Sequence, residues 1–182
     1  MTFEEKTLES QMIYEGAIIN LRRDKVTVEK GTSYREIIEH NGGAVLAAVT
    51  DEGKMVMVRQ YRKPAERVML EVPAGKIDPD ETPFETACRE LKEETGYTPG
   101  EVKYLTEFYP SVGYSEEVLY LYLCTGLTAG ETCPDENEAL DVLEMDVEEL
   151  YGMVMRAEIR DAKTIIAIMM VRDLIREGSM KK

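Results

Sequence analysis

The segment between Thr82 and Gly96 constrains the fold most, because it carries a full set of helix signals after a run of strand signals. Thr82 and Glu85 form a capping box around a proline at the first helical position. Gly96 stands where a glycine C-cap belongs. Apolar residues recur between the caps at three- and four-residue spacing: Phe84, Ala87, Cys88 and Leu91. The sequence therefore predicts one amphipathic helix here.

Strand signals surround this helix. Apolar segments bounded by turn residues predict strands at 11–14, 18–28, 33–39, 44–50, 54–60, 68–72, 102–109, 118–124 and 140–145. The turn at 51–53 is the strongest hairpin signal and predicts that the two strands beside it pair. Asp146 and Asp161 open two further helices, the second ending at Gly178. The pattern predicts an α/β (α+β) chain: a mixed β-sheet with helices on its faces, preceded by a small antiparallel N-terminal β extension.

The length and the strand pattern together predict two parts. A chain of 182 residues makes one domain plus a modest extension. The short strands of residues 1–42 make only a weak core by themselves, so we expect this N-terminal β segment to pack against another protein surface. Residues 43–182 then form the main domain.

Composition excludes several kinds of partner. The chain has 22 Lys+Arg against 36 Asp+Glu, a net charge of −14, which disfavours nucleic acid and anionic membranes. His40 is the only histidine, so a multi-histidine metal site is excluded. The cysteines form no Cys-x-x-Cys pair, the acidic start is no signal peptide, and the longest apolar run, 165–171, is too short for a bilayer. We expect a cytoplasmic protein whose polar chemistry depends mainly on carboxylates, so that any metal it uses should be a hard ion.

Three carboxylates lie side by side on the predicted helix. Glu90, Glu93 and Glu94 fall on the face next to the apolar one. They repel one another and stand near the helix C-terminus, where each effect costs about a few tenths of a kcal/mol in solvent. A divalent cation such as Mg²⁺ would turn this repulsion into attraction. A solvated acidic face is the alternative, because glutamate pairs recur elsewhere in the chain.

The longer motif that contains these three glutamates favours the metal site. From Gly75 to Gly96 the chain reads G-x5-E-x7-R-E-L-x-E-E-x-G. This string resembles the signature of the Nudix hydrolases, with Tyr97 where the family has a bulky aliphatic residue. The resemblance implies a Nudix α/β/α sandwich and metal-dependent hydrolysis of a nucleoside diphosphate linked to another group. Pyrophosphate cleavage needs neutralised phosphate charge, a positioned water and a base, which suits a carboxylate site.

The resemblance also assigns roles. It implies that Glu90 and Glu94 are the principal ligands of Mg²⁺ or Mn²⁺, that Glu93 assists, and that the Ala74 carbonyl completes the site. Gly75 allows a tight loop that brings the backbone near metal and phosphate. Within the same string we expect Arg89 to orient the carboxylates, and Glu81 to fix the loop or, alternatively, to bind metal.

Most of the chain resembles the bacterial type of ADP-ribose pyrophosphatase. The resembling stretches are EEKT, VTDEGK, VRQYRKPAER, LEVPAGK, FYPSVGYSEE and DAKT. This implies a homodimer built by residues 1–42, which also cover the substrate site, and hydrolysis of ADP-ribose to AMP and ribose 5-phosphate. Val112 stands at the family's marker proline, with Pro110 two positions earlier, so a GDP- or UDP-linked nucleotide sugar is an alternative substrate. A nucleotide-binding sensor without turnover is a further alternative, which the complete carboxylate set disfavours.

An acidic protein that binds a pyrophosphate needs local positive charge. By resemblance Arg62 faces the substrate and Glu71 lies near the nucleoside. The ordinary alternative is that Arg62 pairs with Glu66 or Glu71 in a surface ion pair.

The remaining candidates are a substrate-site acid, a cover for the adenine and a general base. By resemblance Glu117 is a substrate-site acid, or else simply the first residue of an exposed strand. Tyr14 is a candidate cover for the adenine, with Ile18 as another, although an aromatic residue in a strand is more often core. The general base comes from a loop acid, Glu136 with Glu138 in reserve, unless that loop is only a solvated acidic turn.

Overall fold

The structure, a computed structural model, describes residues 3–133 and 139–180. Its elements in chain order are β1 (Thr7–Glu15), β2 (Asn20–Val28), β3 (Gly31–Glu39), β4 (Gly43–Ala48), β5 (Lys54–Arg62), a 3₁₀ turn (Lys63–Ala65), β6 (Arg67–Glu71), β7 (Ala74–Lys76), α1 (Pro83–Thr95), β8 (Glu101–Phe108), β9 (Leu119–Thr125), β10 (Leu140–Asp146), α2 (Val147–Met155) and α3 (Ala162–Arg176). Every predicted strand and helix is present, with ends displaced by a few residues. Within the described ranges, no helix is both long and apolar enough to cross a membrane.

The chain divides into two compact units, of which the first comprises the residues up to Gly42 together with Tyr109–Val118. Its strands form an antiparallel sheet in the order β1-β2-β3. All nine residues of β1 are exposed. The buried carboxylate of Asp24 accepts a hydrogen bond from Ser10 at 2.6 Å and pairs with Arg22 at 3.2 Å. This unit therefore holds its strands together largely by pairing and polar contacts.

The second unit, Gly43–Phe108 with Leu119–Lys182, contains two sheets and the three helices of the described chain. One sheet has the antiparallel order β10-β5-β6, and the other has the mixed order β7-β4-β9-β8 with β4 parallel to β9. Alternate residues of the wholly buried β4 enter two cores, Val45 with Leu150 and Ile168 on one side, Leu46 with Leu91 on the other. The predicted α/β/α sandwich is confirmed.

The predicted hairpin between 44–50 and 54–60 is wrong in its pairing. The turn forms, because Thr50 donates its N–H to the Lys54 carbonyl at 2.9 Å and Gly53 has a φ of 76°. After one bridge, between Val49 and Met55, the strands diverge: β4 pairs with β7 and β9, and β5 pairs with β6 and β10. Both edges of β4 are paired with β7 and β9, and both edges of β5 with β6 and β10, so neither strand keeps an edge for the other.

Helix α1 begins and ends as predicted. Thr82 and Glu85 form the reciprocal capping box, and Gly96 closes the helix at a φ of 75°. The prediction that Phe84 lies on the buried face is wrong. Phe84 is 49% exposed, and its ring lies edge-on to that of Tyr122. It lies in the first turn, beyond the part of α1 that is buried.

Candidate functional site

The approach of β7 to α1 brings Gly75 against Glu90. A Cβ on Gly75 would lie 1.8 Å from Cδ of Glu90, far inside any real contact, so any larger residue would displace the Glu90 side chain. The predicted tight loop is instead the short strand β7, which pairs with β4. Gly75 is therefore required by close approach to a carboxylate and not by a turn conformation.

Glu94 extends the contact between the same two elements. Its side chain is 2% exposed, and Oε2 accepts the N–H of Ala74 at 3.2 Å. A buried carboxylate and the backbone of β7 thus lie next to each other. The observed contact uses the N–H of Ala74, whereas the role implied by the resemblance belongs to its carbonyl and stays a prediction.

Arg89 binds the other carboxylates of the signature. It donates from Nε and Nη2 to the two oxygens of Glu81 at 2.7 and 2.8 Å, and from Nη1 to Glu90 at 2.8 Å and Glu93 at 2.9 Å. Glu81 also accepts from the hydroxyl of Thr86 at 2.8 Å. The hydrogen bonds from Arg89 lower the pKa of Glu81 to about 2. Glu81 ties the loop before α1 to the helix, whereas Glu90 and Glu93 share one guanidinium group.

The donor set fits a hard divalent cation, although its present arrangement does not enclose one. Among the described residues, no group of three His, Cys, Asp or Glu side chains is arranged to hold a metal ion. Glu90 and Glu93 bind Arg89 instead. Carboxylate and carbonyl oxygens are nevertheless the ligands that Mg²⁺ and Mn²⁺ prefer, and Glu94 is already fixed beside the Ala74 backbone. A cation would compete with Arg89 for two carboxylates.

Arg62 and Glu71 form a bidentate ion pair at the junction of β5 and β6. Arg62 donates from Nε and Nη2 to the two oxygens of Glu71, both at 2.8 Å. Burial acts to raise the pKa of Glu71, but the hydrogen bond from Arg62 and the charge of Lys163 outweigh it and hold the pKa below its usual value. Glu66 binds Lys63. The ordinary alternative, an ion pair of Arg62 with Glu71, is therefore present, and it joins a partly exposed arginine side chain to a carboxylate that is 2% exposed.

Sequence analysis missed Lys163 and Thr164, two residues at the start of α3 that bind Glu71 and the adjacent Val72. Lys163 donates to Glu71, and Thr164, which is fully buried, accepts the N–H of Val72 at 3.0 Å. Asp161 caps the helix and accepts from Lys163 at 2.9 Å. The available signal was the stretch DAKT, which marked a helix start and belonged to the family resemblance but carried no role for its side chains.

Two predicted site residues lie in the first unit. Tyr14 is 58% exposed on β1, so its alternative as a core residue is wrong for this chain. Glu117 lies 3.7 Å from Nδ1 of His40 and donates its own N–H to the Ser115 hydroxyl at 3.2 Å. Val112, at the marker-proline position, is 80% exposed.

Both candidate bases, Glu136 and Glu138, lie outside the described residues. The chain before them is fixed to the site, because Cys133 donates its N–H to the Glu93 carbonyl at 3.0 Å. Gly96 also packs on Gly130, where a Cβ would come within 2.5 Å of the carbonyl oxygen. Cys133, the last described residue before this acidic segment, therefore lies at the end of α1 that carries the carboxylates.

Comparison with known proteins decides the family. The sequence model of the NUDIX domain matches residues 40–167, well over half of the chain. The chain belongs to the Nudix family. Among solved structures this Nudix protein resembles one described as an ADP compounds hydrolase, with a TM-score of 0.85 and 18% identity, covering 98% of this chain and 97% of the other.

Three relatives differ in what their names describe. An ADP-ribose pyrophosphatase of Bacillus subtilis (strain 168) is 42% identical over 170 residues, covering 92% of both chains. A methanol dehydrogenase activator of Bacillus methanolicus is 41% identical over 169 residues, covering 91% of both. A GDP-mannose pyrophosphatase of Yersinia pestis (strain Pestoides F) is 32% identical over 159 residues, covering 77% of both.

Proposed function

We propose that this Nudix protein hydrolyses the pyrophosphate bond of ADP-ribose, giving AMP and ribose 5-phosphate, with a divalent metal ion. The similarity to the Bacillus subtilis ADP-ribose pyrophosphatase along nearly the whole chain carries the proposal. The carboxylates of α1 beside β7 supply residues for such chemistry.

Each described residue of the site has a task in this reaction. Glu90 and Glu94 would hold Mg²⁺ or Mn²⁺, with help from Glu93 and the Ala74 carbonyl. When bound there, the ion would supply positive charge to offset that of the phosphates and would make a bound water more acidic. Arg89 keeps Glu90 and Glu93 within reach of the same point, since Nη1 binds both. Arg62 and Glu71 would bind the diphosphate and the nucleoside respectively.

The general base would come from the loop that follows Cys133. Glu136 is the first candidate and Glu138 the second, and the anchoring of Cys133 to the Glu93 carbonyl supports this loop as their source. A base accepts the proton of the attacking water and so acts mainly on kcat. If Glu136→Gln keeps most of its turnover while Glu138→Gln loses it, the assignment moves by two residues.

We further propose a cytoplasmic homodimer formed through residues 1–42, with residues 43–182 as the hydrolase domain. Large apolar side chains are exposed along the first unit: Leu8, Met12, Ile13, Tyr14, Ile18, Ile19 and Tyr34. A face of this kind is expected to be covered by another protein surface. A second copy of the chain would cover it and could bring Tyr14 or Ile18 over the adenine, with Glu117 as a further substrate contact.

A substrate panel tests the proposed reaction against its nearest rival. The purified protein is incubated with Mg²⁺ and, separately, ADP-ribose, GDP-mannose and a UDP-linked hexose, and kcat/KM is compared. We expect ADP-ribose to be preferred. A higher kcat/KM for another nucleotide sugar would replace the substrate and make Val112 the first residue to change. Tight binding of ADP-ribose without any product would favour a sensor.

A second candidate function is activation of a methanol dehydrogenase, which the Bacillus methanolicus relative favours. Methanol dehydrogenase is assayed with the wild-type chain and with Glu94→Gln. Stimulation by wild type alone would mean that activation needs the hydrolytic site, and equal stimulation would mean that it needs binding only. No stimulation by either protein would exclude this function.

A further inference from the structure

The first turn of α3 binds the chain where β6 ends. Lys163 donates from Nζ to Oε2 of Glu71 and to Oδ2 of Asp161, the latter at 2.9 Å. Thr164 accepts the N–H of Val72 at 3.0 Å. Asp161 in turn accepts the hydroxyl of Thr164 at 2.6 Å. The adjacent side chains of Lys163 and Thr164 therefore hold the adjacent residues Glu71 and Val72.

Glu71 has two cationic partners that differ in exposure. The side chain of Lys163 is 12% exposed and that of Arg62 is 41% exposed, whereas the carboxylate between them is 2% exposed. Both cations bind Oε2 of Glu71, and Arg62 binds Oε1 as well. Lys163, the inner partner, is held by Asp161, whereas Arg62, the outer partner, has a partly exposed side chain.

This difference matters when an anionic ligand arrives. A guanidinium group binds phosphate in the same bidentate manner as it binds a carboxylate, so a diphosphate competes with Glu71 for Arg62. A buried carboxylate left with no countercharge is strongly unfavourable. With Lys163 in place, Glu71 keeps one cation when Arg62 turns away. Without Lys163, the same movement would leave Glu71 uncompensated.

We infer that Lys163 is a positioning residue that holds Glu71 and thereby frees Arg62 to bind the diphosphate of the substrate. The inference rests on the proposed function, because it assigns a nucleoside diphosphate as the ligand of Arg62. A purely structural Lys163 would join α3 to β6 without affecting how tightly the diphosphate binds.

A double-mutant cycle separates these roles. ADP-ribose is titrated calorimetrically into metal-free wild type, Lys163→Met, Glu71→Gln and the double variant, so that binding is measured without turnover. Lys163→Met should weaken binding by about tenfold or more, the loss of roughly one charge-assisted contact. In the Glu71→Gln background the same change should alter binding less than about twofold, since the neutral amide that replaces the carboxylate does not retain Arg62.

Two further variants serve as controls. Lys163→Arg keeps the charge and should retain most of the affinity. Lys103→Met removes a lysine from the exposed side of β8 and should leave binding unchanged. Thermal melts establish that each variant folds, and Lys163→Gln replaces Lys163→Met if the latter does not melt cooperatively.

The outcomes separate this inference from the proposed reaction. Equal weakening by Lys163→Met in both backgrounds, or no weakening in either, overturns the role of Lys163. If Lys163→Met weakens binding only when Glu71 is present, but wild type forms no AMP in Mg²⁺, the proposed reaction is overturned and the role of Lys163 is supported. Failure of metal-free wild type to bind ADP-ribose overturns the role of Lys163, and it overturns the proposed reaction as well if no AMP forms in Mg²⁺. With Mg²⁺ and turnover, the supporting result is a raised KM for Lys163→Met with little change in kcat.

Discussion

The contact between Gly75 and Glu90 shows how one missing side chain determines where a carboxylate lies. Gly75→Ala would place Cβ 1.8 Å from Cδ of Glu90, so the carboxylate must move. We expect turnover of ADP-ribose to fall by about 100-fold or more, as for a displaced catalytic group. Gly152→Ala is the matched control, because its Cβ would meet only the flexible end of Arg156. Full activity of Gly75→Ala in a steady-state assay would contradict this account of the site.

The lowered pKa of Glu81 leads to a prediction about how the stability of the protein changes with pH. Its pKa is lowered from 4.5 to about 2, chiefly by hydrogen bonds from Arg89, so its stabilising contribution is present above pH 4.5 and is lost as pH falls towards 2. Glu81→Gln should therefore be less stable than wild type at pH 7 and lose less Tm between pH 5 and pH 3. Thermal melts followed by circular dichroism measure both. Parallel Tm curves for the two proteins would show that Glu81 contributes nothing to acid sensitivity.

Among the elements, α1 owes its start to local sequence alone. Thr82→Ala removes the side-chain half of the capping box and should lower the free energy of unfolding by about 1 kcal/mol. Because the carboxylates lie at the other end of α1, kcat should change little. Urea denaturation measures the loss, with Thr32→Ala on exposed β3 as the control. A stability loss no larger than that of Thr32→Ala would mean that packing, and not the cap, sets the start of α1.

How far the sequence predicts each element depends on whether its signals are local. The caps of α1 are local, and Thr82 and Gly96 place its ends almost to the residue. The partners of β4 are not local, because β9 joins it from far along the chain, and the turn at 51–53 pointed to the wrong neighbour. The same distinction between local and distant signals applies to the residues of the candidate site. Glu90, Glu93 and Glu94 follow from one helix, whereas the contact of Lys163 with Glu71 joins α3 to β6 and has no pattern in the sequence.

For the whole molecule, the exposed apolar face of the first unit predicts self-association. Wild type should elute from a sizing column at about twice the chain mass of 20.7 kDa. Ile13, 48% exposed on β1, is one of these exposed apolar side chains, so Ile13→Glu should shift the protein towards monomer. Met155→Glu is the control, because Met155 is 64% exposed on α2 in the other unit. Elution of wild type as a monomer would contradict the proposed homodimer.

The central claim is that carboxylates of α1 carry out metal-dependent cleavage of ADP-ribose. Its most direct test is AMP production from ADP-ribose and Mg²⁺ by wild type, Glu94→Gln and Glu101→Gln, with nucleotides separated by chromatography. Glu94 is buried beside Ala74, whereas Glu101 is exposed on β8. We predict AMP from wild type and Glu101→Gln, abolition by a chelator, and a loss on the order of 1,000-fold in Glu94→Gln. Equal AMP from Glu94→Gln and wild type, or none from wild type, would contradict the claim.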